Sequence, residues 1–428
     1  MSVPFRFIHA ADLHLDSPFR GLAKAPGPVR EALTESTFDA LRRLTQAAIS
    51  EEVDFIVLAG DLFDEADRSL RAQLMLVREW EKLAENGIAV YVIHGNHDPL
   101  NGTRAKLALP PNVYIFGAEQ MEYRPAYRKS GELAAFVYGR SYGRRAVSEN
   151  MAAAYQIQAE APFHIAMLHG NVDGDGTHDP YAPCALDELT GGKGFDYWAL
   201  GHIHHRRVLH EYPHVVYAGN AQGRNPRETG AKGCYLVDVT AAKAIEMTFL
   251  PLDKVRWFEC NFPIAGVSSE QELLRLLDAE LERALADSEG RMVMLRFILN
   301  GRGPLHKKLS DPGVVRTLLE QLQEARSMTE DEAWIYVFGM EANTGAELNW
   351  EELALEDSFA GELYRVSSEL AQDRQQWRDF AKTAVGPVTG HAKLGRLLRS
   401  RLDELPEHWL EQARELTLGM IHSSDGDE

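Results

Sequence analysis

Residues Ile88 to Leu100 read IAVYVIHGNHDPL. The unbroken apolar run IAVYVI is the pattern of a strand buried on both faces. It ends by placing an amide, an imidazole and a carboxylate side by side, at Asn96, His97 and Asp98. Three polar side chains at a strand exit are ordinarily a solvated loop, so their meaning depends on what the other strand exits carry.

The same construction recurs on both sides. Upstream, FRFIHA at 5–10, a helical periodicity around 30–50, DFIVLAG at 54–60 and a second helical pattern at 68–86 alternate strand with helix. Downstream, AAFVYG at 134–139, FHIAMLHG at 163–170, FDYWALGH at 195–202, HVVYAGN at 214–220 and GCYLVDV at 233–239 follow with less helix between them. This is an α/β domain over 1–250, and its strand-rich second part predicts two sheets packed face to face with helices outside. From 251 to 345, the succession VRWFECNF, SEQELLRLLDAELERAL, RMVMLRFIL, VVRTLLEQLQEA and AWIYVFGME predicts a small α+β domain of strand, helix, strand, helix and strand. Residues 346–428 turn polar, charged and helical, with interruptions expected at Gly386, Pro387 and Gly390 and a short acidic tail.

The exits of those runs share a chemistry. ADLHLD supplies Asp12 and His14, GDLFD supplies Asp61 and Asp64, MLHGN supplies His169, and LGHIHH supplies His202 and His204. Open α/β sheets bind their ligands outside the carboxyl ends of the strands, so these groups are delivered to one region. Imidazoles mixed with carboxylates and one amide, without thiolate, suit Mn²⁺, Fe²⁺ or Zn²⁺ better than a structural zinc site. Asp12, His14, Asp61, Asn96, His169, His202 and His204 are too many ligands for one such ion. Two ions sharing a bridging carboxylate use them well, and ions paired about 3.5–4 Å apart are a recurring answer to phosphoester hydrolysis. In GNHD, adjacent side chains diverge at a turn, so Asn96 can face the metals while His97 faces the substrate. In GHIH, alternate residues reach two ions only through an irregular backbone, which Gly201 permits.

The ordered set Asp12-Leu13-His14, Gly60 to Asp64, Gly95 to Asp98, His169 and Gly201 to His204 resembles the calcineurin-like metallophosphoesterases. Within them, AADLHLD, GDLFD, the separate His169 and a small following domain resemble the SbcD-type DNA repair nucleases, and HLDSPFRGL at 14–22 resembles a Gram-positive branch of that group. The motifs cover the first half of the chain, and the likeness of the second domain is architectural. The resemblance implies a four-layer α/β/β/α sandwich with a small α+β cap domain and a helical C-terminal region. It implies that Asp12, His14 and His204 hold one ion, that Asn96, His169 and His202 hold the other, and that Asp61 bridges. Two divalent metal ions are the implied cofactors, Mn²⁺ foremost, with Fe²⁺, Zn²⁺ or Mg²⁺ as alternatives. His97 becomes the general acid that protonates the leaving alkoxide, oriented by Asp98 or Asp64. Relatives from other kingdoms carry a histidine at the position of Asp64, which leaves the role of that residue open. The implied activity is exonuclease, with endonuclease as an addition, on DNA in repair. The implied partner is an SMC-like ATPase whose coiled-coil base docks on the segment after the cap, and a homodimer is implied by the resemblance alone.

Other residues read more weakly. Arg140, Arg144 and Arg145 in GRSYGRRA, Arg206 and Arg207 after GHIHH, and Arg224 and Arg227 in GNAQGRNPR follow strand ends, with Tyr142 available for stacking. They read equally as clamps on a nucleic-acid backbone and as a solvated rim. His9 and His94 lie within apolar runs and read as satisfied core histidines, and His164, His178, His210 and His214 as surface or structural ones. His205 stays open between a supporting role, a substrate contact and neither. NVDGDGTHDP at 171–180 lacks the closing glutamate of a calcium loop and reads as a mobile loop beside the site. Trp350, Leu353 and Leu355, with Leu394, Leu397, Leu398 and Leu402, would pack on the body or hold a partner's helix.

Bulk properties bound these readings. A chain of 428 residues implies two or three domains, and its 45% hydrophobic and 25% charged content is that of a globular protein. No run approaches the roughly 20 apolar residues of a membrane span, and MSVPFRFIHA passes into a strand pattern without the features of a signal peptide. Three cysteines without metal or disulfide spacing fit a reducing compartment, so the cytoplasm is the expected location. A net charge of −19 argues against a protein that grips nucleic acid by a broad basic face. The charge is uneven: residues 1–250 carry 25 basic and 31 acidic groups, the remainder 20 and 33. Two rivals remain at this level. A small-molecule phosphoesterase for a cyclic nucleotide or monoester suits the acidity but not the length, and an ATPase scaffold with secondary hydrolysis does not need His97 beside a complete ligand set.

Overall fold

The computed structural model describes residues 3–19, 25–64, 69–102, 105, 107–176, 178–324, 333–347, 350–389, 409–411, 413–414 and 417–418. In chain order the elements begin with β1 (Phe5–Ala10), α1 (Gly27–Ser50), β2 (Phe55–Ala59), α2 (Leu70–Glu85), β3 (Ala89–Ile93) and β4 (Val113–Ile115). There follow β5 (Glu122–Tyr127), β6 (Leu133–Gly139), β7 (His164–His169), α3 (Leu186–Thr190), β8 (Tyr197–Gly201), β9 (Arg207–Glu211), β10 (His214–Tyr217), β11 (Gly233–Val239) and β12 (Ile245–Pro251). The remainder comprises β13 (Val255–Pro263), α4 (Glu270–Asp287), β14 (Met292–Arg302), α5 (His306–Leu309), α6 (Pro312–Glu324), β15 (Ile335–Gly345), α7 (Trp350–Leu355), α8 (Phe359–Gln372) and α9 (Arg374–Thr389).

Two six-stranded sheets form the body, in the orders β12-β11-β1-β2-β3-β4 and β5-β6-β7-β8-β10-β9. The runs β1 to β4 and β6-β7-β8-β10 are parallel, and antiparallel strands finish the edges. Every residue of β2, β7 and β8 is buried, as expected of parallel strands covered on both faces. Between the sheets, Phe7, Phe55, Val57 and Tyr91 of one pack on Val137, Ile165, Met167 and Tyr197 of the other. Phe7 stacks on Phe55 at 5.3 Å and meets Tyr197 edge-on at 5.3 Å, which joins the sheets through aromatic contact. Outside the first sheet, Phe38, Leu41 and Leu44 of α1 and Leu76, Trp80 and Leu83 of α2 bury their apolar stripes on Ile8, Ile56 and Val90. The Ser69 side chain accepts from Ala72 N and caps α2. The outer face of the second sheet is covered by the segment carrying Met151, Tyr155, Leu189 and Phe195. This is the mixed α/β sandwich that the sequence predicts.

The chain divides into one unit of residues 1–259, 281–296 and 326–338 and another of 260–280, 297–325 and 339–428. In the first, Val29 and Leu33 of α1 pack with Val255, Trp257, Met294 and Tyr336. A three-stranded sheet has the order β13-β14-β15. In the second unit, Leu353 and Ala360 pack with Leu418, and Trp377 and Ala381 with Leu410. Where the sequence predicts interruption at Gly386 and Pro387, α9 continues to Thr389. Leu394, Leu397, Leu398 and Leu402, the third expected break at Gly390, and Arg20 to Leu22 lie outside the described residues. No described helix is long and apolar enough to cross a membrane.

Candidate metal centre

The carboxyl ends of β1, β2 and β3 in one sheet and of β7 and β8 in the other meet at one end of the sandwich. The loop after β1 is zipped to the loop after β2 by Asp12 N to Gly60 O, His14 N to Asp61 O and Leu15 N to Leu62 O, at 2.9 to 3.0 Å. Asp12, His14, Asp61 and His202 all take left-handed backbone conformations, with φ of 51°, 43°, 49° and 94°. Non-glycine residues avoid this region, and such strain gathers where a site overrides local preference. Glycine is required where the loops touch. A Cβ at Gly201 would overlap the Ala59 carbonyl, and one at Gly95 would lie 2.6 Å from His169 Nε2.

All seven expected ligands are buried and come together. Asp12, His14 and His204 place donor atoms within 4.8 Å of one another, and so do Asp12, Asp61 and His169. Asp61 Oδ2 lies between the two groups, 3.8 Å from His14 Nε2 and 3.3 Å from His169 Nε2. Asn96 Oδ1 stands 3.0 Å from His169 Nε2 and 3.2 Å from His202 Nδ1.

The rear nitrogen of each histidine shows where its protons belong. His169 Nδ1 donates to Ala59 O at 2.9 Å, His202 Nε2 to Asp179 O at 2.8 Å, and His204 Nδ1 to Glu228 Oε1 at 2.9 Å. His14 Nδ1 faces Asp64 Oδ1 at 3.1 Å, in ion-pair range though off hydrogen-bond alignment. The inner nitrogens of His14, His202 and His204 are therefore lone-pair ends, and His14 Nε2 and His204 Nε2 face each other at 3.1 Å. In neutral rings, lone pair opposite lone pair is repulsive unless a cation lies between, so the donor set fits divalent ions of the oxygen- and nitrogen-liking kind. Burial holds His202 down to about 3, His204 to about 4 and His14 well below its ordinary value, which keeps these rings neutral. At His169 burial acts downward too, but Asp61 and Asp12 outweigh it and raise the ring to about 9. Burial lifts Asp12 to about 8 against the pull of His169. A core that retains protons this strongly is one in which cations are favoured.

The GNHD residues go three ways. Asn96 faces the ligands. His97 is partly exposed; its N–H donates to Asp61 Oδ1 at 2.9 Å and its Nδ1 to the Asp64 carbonyl at 2.7 Å, which leaves Nε2 for the crevice. Asp98 points inward, accepting from His94 Nδ1 at 2.8 Å, Leu62 N at 2.9 Å and Gly95 N at 2.9 Å. It ties two loops together and holds His94, while His97 is held by the backbone of Asp64. His94 is thus only half satisfied, since its Nε2 has no hydrogen-bond partner among the described residues. His9 is a core histidine, with Nδ1 3.0 Å from Tyr197 Oη and Nε2 3.2 Å from Leu200 O.

The Asp64 carboxylate serves His14 and also pairs with Arg224, which reaches Ser17 Oγ at 3.3 Å. Of the other side chains expected to touch substrate, Arg144 and Arg206 are exposed at the surface, with the Arg206 guanidinium 3.7 Å over the Phe249 ring. Arg140 is pinned to Ala118 O at 2.9 Å and to Glu149 at 3.0 Å. Tyr142 is fully buried and donates to His169 O at 2.7 Å, so it offers no ring face for stacking and instead braces a ligand. Glu228 went unmarked in the sequence, and His178, read there as a surface or structural histidine, stands beside the cluster. Glu228, one residue beyond GNAQGRNPR, accepts from His204, Asn220, Asn225 and the Arg224 N–H. His178 sets its ring centroid 4.6 Å from that of His204 and 5.4 Å from that of His202, on a loop whose Asp179 carbonyl holds His202.

Residues 5–206 match the family described as calcineurin-like phosphoesterase, and residues 257–342 match the middle domain of metallophosphoesterase YhaO. The chain is 42% identical over 365 residues to the uncharacterized metallophosphoesterase YhaO of Bacillus subtilis, covering 85% of this chain and 87% of that one. The chain belongs to the calcineurin-like metallophosphoesterases. More distant members include the DNA double-strand break repair protein Mre11 of Sulfurisphaera tokodaii, 29% identical over 48% of this chain and 50% of its own. One component of nuclease SbcCD of Staphylococcus epidermidis is 23% identical, over 59% of this chain and 71% of its own. Family membership makes the protein a phosphoesterase hydrolase with a metal-binding site.

Proposed function

We propose that the protein is a DNA phosphodiesterase, an exonuclease with added endonuclease capacity, acting in DNA repair with two divalent ions, Mn²⁺ foremost. The carrying observation is the convergence of the inner donor atoms: His14 Nε2 meets His204 Nε2, and His169 Nε2 and His202 Nδ1 both meet Asn96 Oδ1. Asp12, His14 and His204 would hold one ion, Asn96, His169 and His202 the other, with Asp61 between. When bound, such ions polarise the phosphoryl oxygens and activate water. His97 in its protonated form gives the Nε2 proton to the leaving sugar oxygen as the phosphorus–oxygen bond breaks, while Nδ1–H stays on the Asp64 carbonyl and keeps the ring from turning away. Asp64 holds Arg224 at the edge of the ligand cluster, where a guanidinium meets a phosphate oxygen.

The nuclease names of the relatives support DNA as substrate. Leu355, Phe359, Val366 and Phe380 stand exposed on α7, α8 and α9, which supports docking of an SMC-like ATPase on residues 346–428. Leu70 and Leu74, exposed on α2, suit a homodimer, and the buried free thiols Cys184 and Cys234 suit the cytoplasm. The acidity of the chain, −19 overall, favours a second reading in which a small phosphodiester is the substrate. The test is hydrolysis of end-labelled single- and double-stranded DNA beside a panel of small phosphodiesters with Mn²⁺. Progressive shortening of DNA, lost in His97→Ala and Asp61→Ala, is the expected result; turnover of small esters alone, with and without an ATPase partner, establishes the second reading. Deleting 346–428 should abolish partner binding and leave hydrolysis in place.

A further inference from the structure

Adjoining the metal centre through His204, at the β11–β12 edge of the first sheet, lies a polar cavity of about 240 Å³ whose walls also include His205, Arg206, Asn220, Lys232 and Phe249. Lys232 is 5% exposed, and its ammonium makes a single hydrogen bond, to the His204 carbonyl at 3.1 Å. An ammonium has three protons to give, and among the described residues no carboxylate stands within ion-pair distance of this one. Burial lowers its pKa from the ordinary value; Glu228 and Asp253 act upward from farther away and Arg206 acts downward. Both acids are otherwise engaged, Glu228 with His204, Asn220 and Asn225, and Asp253 with Arg256 at 2.8 and 3.1 Å. With one hydrogen bond made and its other donor positions open on the cavity wall, the Lys232 side chain is placed to receive an acceptor group seated in the cavity.

The surroundings narrow the anion. Arg206, laid over Phe249, presents a second fixed cation at the wall, and His205 is exposed beside it. Asn220 is fully buried, yet its Oδ1 has no hydrogen-bond partner among the described residues. Its Nδ2 is already committed to Gln222 O and Glu228 Oε2, both at 2.7 Å, so the amide cannot turn its donor outward. The cavity thus presents several donors and one acceptor. A phosphodiester has only acceptors to offer, whereas inorganic phosphate, and a phosphomonoester in the monoanionic form it takes near and below its second pKa of about 6, carries a proton that can be given to Asn220. We propose that this cavity is a subsite for a phosphate group of the monoester or inorganic kind, held by Lys232 and Arg206 with its remaining proton on Asn220 Oδ1. Its two natural sources are the terminal phosphate of a nucleic-acid strand and free phosphate or a mononucleotide. Only the first of these rests on the nuclease reading.

The test uses the full chain with metals removed by chelator, so that phosphate cannot be held by ions, and follows inorganic phosphate binding by calorimetry. Binding at millimolar concentration is expected, weakened at least about ten-fold in Lys232→Met and several-fold in Arg206→Ala. Lys232→Met removes an unpaired buried charge, so its melting temperature without phosphate should equal or exceed that of the wild type, and phosphate should raise the melting temperature of the wild type alone. Competition then separates the sources. Displacement by a 5′-phosphorylated oligonucleotide and not by its 5′-hydroxyl twin assigns the site to strand ends; displacement by neither assigns it to free phosphate or mononucleotides. Absence of phosphate binding to the wild type, binding in both variants equal to the wild type's, or displacement by both oligonucleotides alike overturns the proposal, whatever the outcome of the hydrolysis assay.

Discussion

The two histidine pairs of the metal centre are braced by different parts of the chain. His14 and His204 turn their rear nitrogens to side-chain carboxylates, Asp64 at 3.1 Å and Glu228 at 2.9 Å. His169 and His202 turn theirs to the backbone, the carbonyls of Ala59 at 2.9 Å and Asp179 at 2.8 Å. A carboxylate raises the basicity of the imidazole and adds negative charge, whereas a carbonyl chiefly fixes tautomer and orientation. If these pairs hold the ions as proposed, affinity at the first pair would reside in two replaceable side chains, and at the second pair in the strand and loop backbone. The difference teaches that equal-looking ligands need not be equally open to substitution.

The largest effect should come from the residue that belongs to both pairs. Asp61→Asn is expected to lower hydrolysis by more than about 10³-fold and to reduce occupancy at both positions, read by rates and by metal analysis of the purified protein. His97→Gln touches neither pair. It should leave metal content unchanged and slow DNA hydrolysis roughly 10² to 10⁴-fold, while a p-nitrophenyl ester, whose leaving group needs no proton, slows far less; equal losses on both substrates would remove His97 from the acid role. Glu228→Gln should weaken one ion by about 10–100-fold and spare the other, so that a Mn²⁺ titration separates into two unequal steps. Uniform weakening would mean that the pairs do not act independently. The smallest effect concerns a buried imidazole that serves no ion. His9 is held by burial at about 3, so between there and its ordinary 6.5 the unfolded chain takes a proton that the folded chain refuses. Its contribution is fully present above 6.5 and is lost as pH falls toward 3, at up to about 1.4 kcal/mol per pH unit. Urea unfolding with chelator from pH 7 to 4 should show a shallower decline in His9→Gln than in the wild type.

The strands that were legible are those buried on both faces. The FIVLA, HIAMLH and YWALG segments have every residue buried, and a continuous apolar run is the mark of that environment. The four edge strands were not legible. VYI of β4, EYRPAY of β5, RVLHE of β9 and IEMTFLP of β12 are mostly half-buried or exposed, and β5 carries Pro125, which an edge tolerates. Their pairing comes from open hydrogen bonds on the neighbouring strand and leaves no pattern in their own residues. The centre divides in the same way. Ligands were legible because imidazole, carboxylate and amide at successive strand exits have few other uses in one place. Two of the braces are backbone carbonyls of Ala59 and Asp179, which any residue would supply, so no residue type could announce them. Asp98 shows the converse. It stands next to His97 in sequence, but the turn sends it to His94 and the Leu62 and Gly95 amides.

By itself the sequence determined the parallel interior of the sandwich, the strand ends at which chemistry would gather and the seven groups that meet there. Side-chain type and period carry that information, because burial selects apolar residues and metal chemistry selects donors. Only the tertiary structure decided which nitrogen of each histidine faces inward, that Asp64 and Glu228 back one pair while the backbone backs the other, and that Lys232 is buried beside His204 without a carboxylate at hand. Those facts depend on contacts between segments far apart in the chain. Their distances are set by how the two sheets pack, which no local stretch of residues encodes.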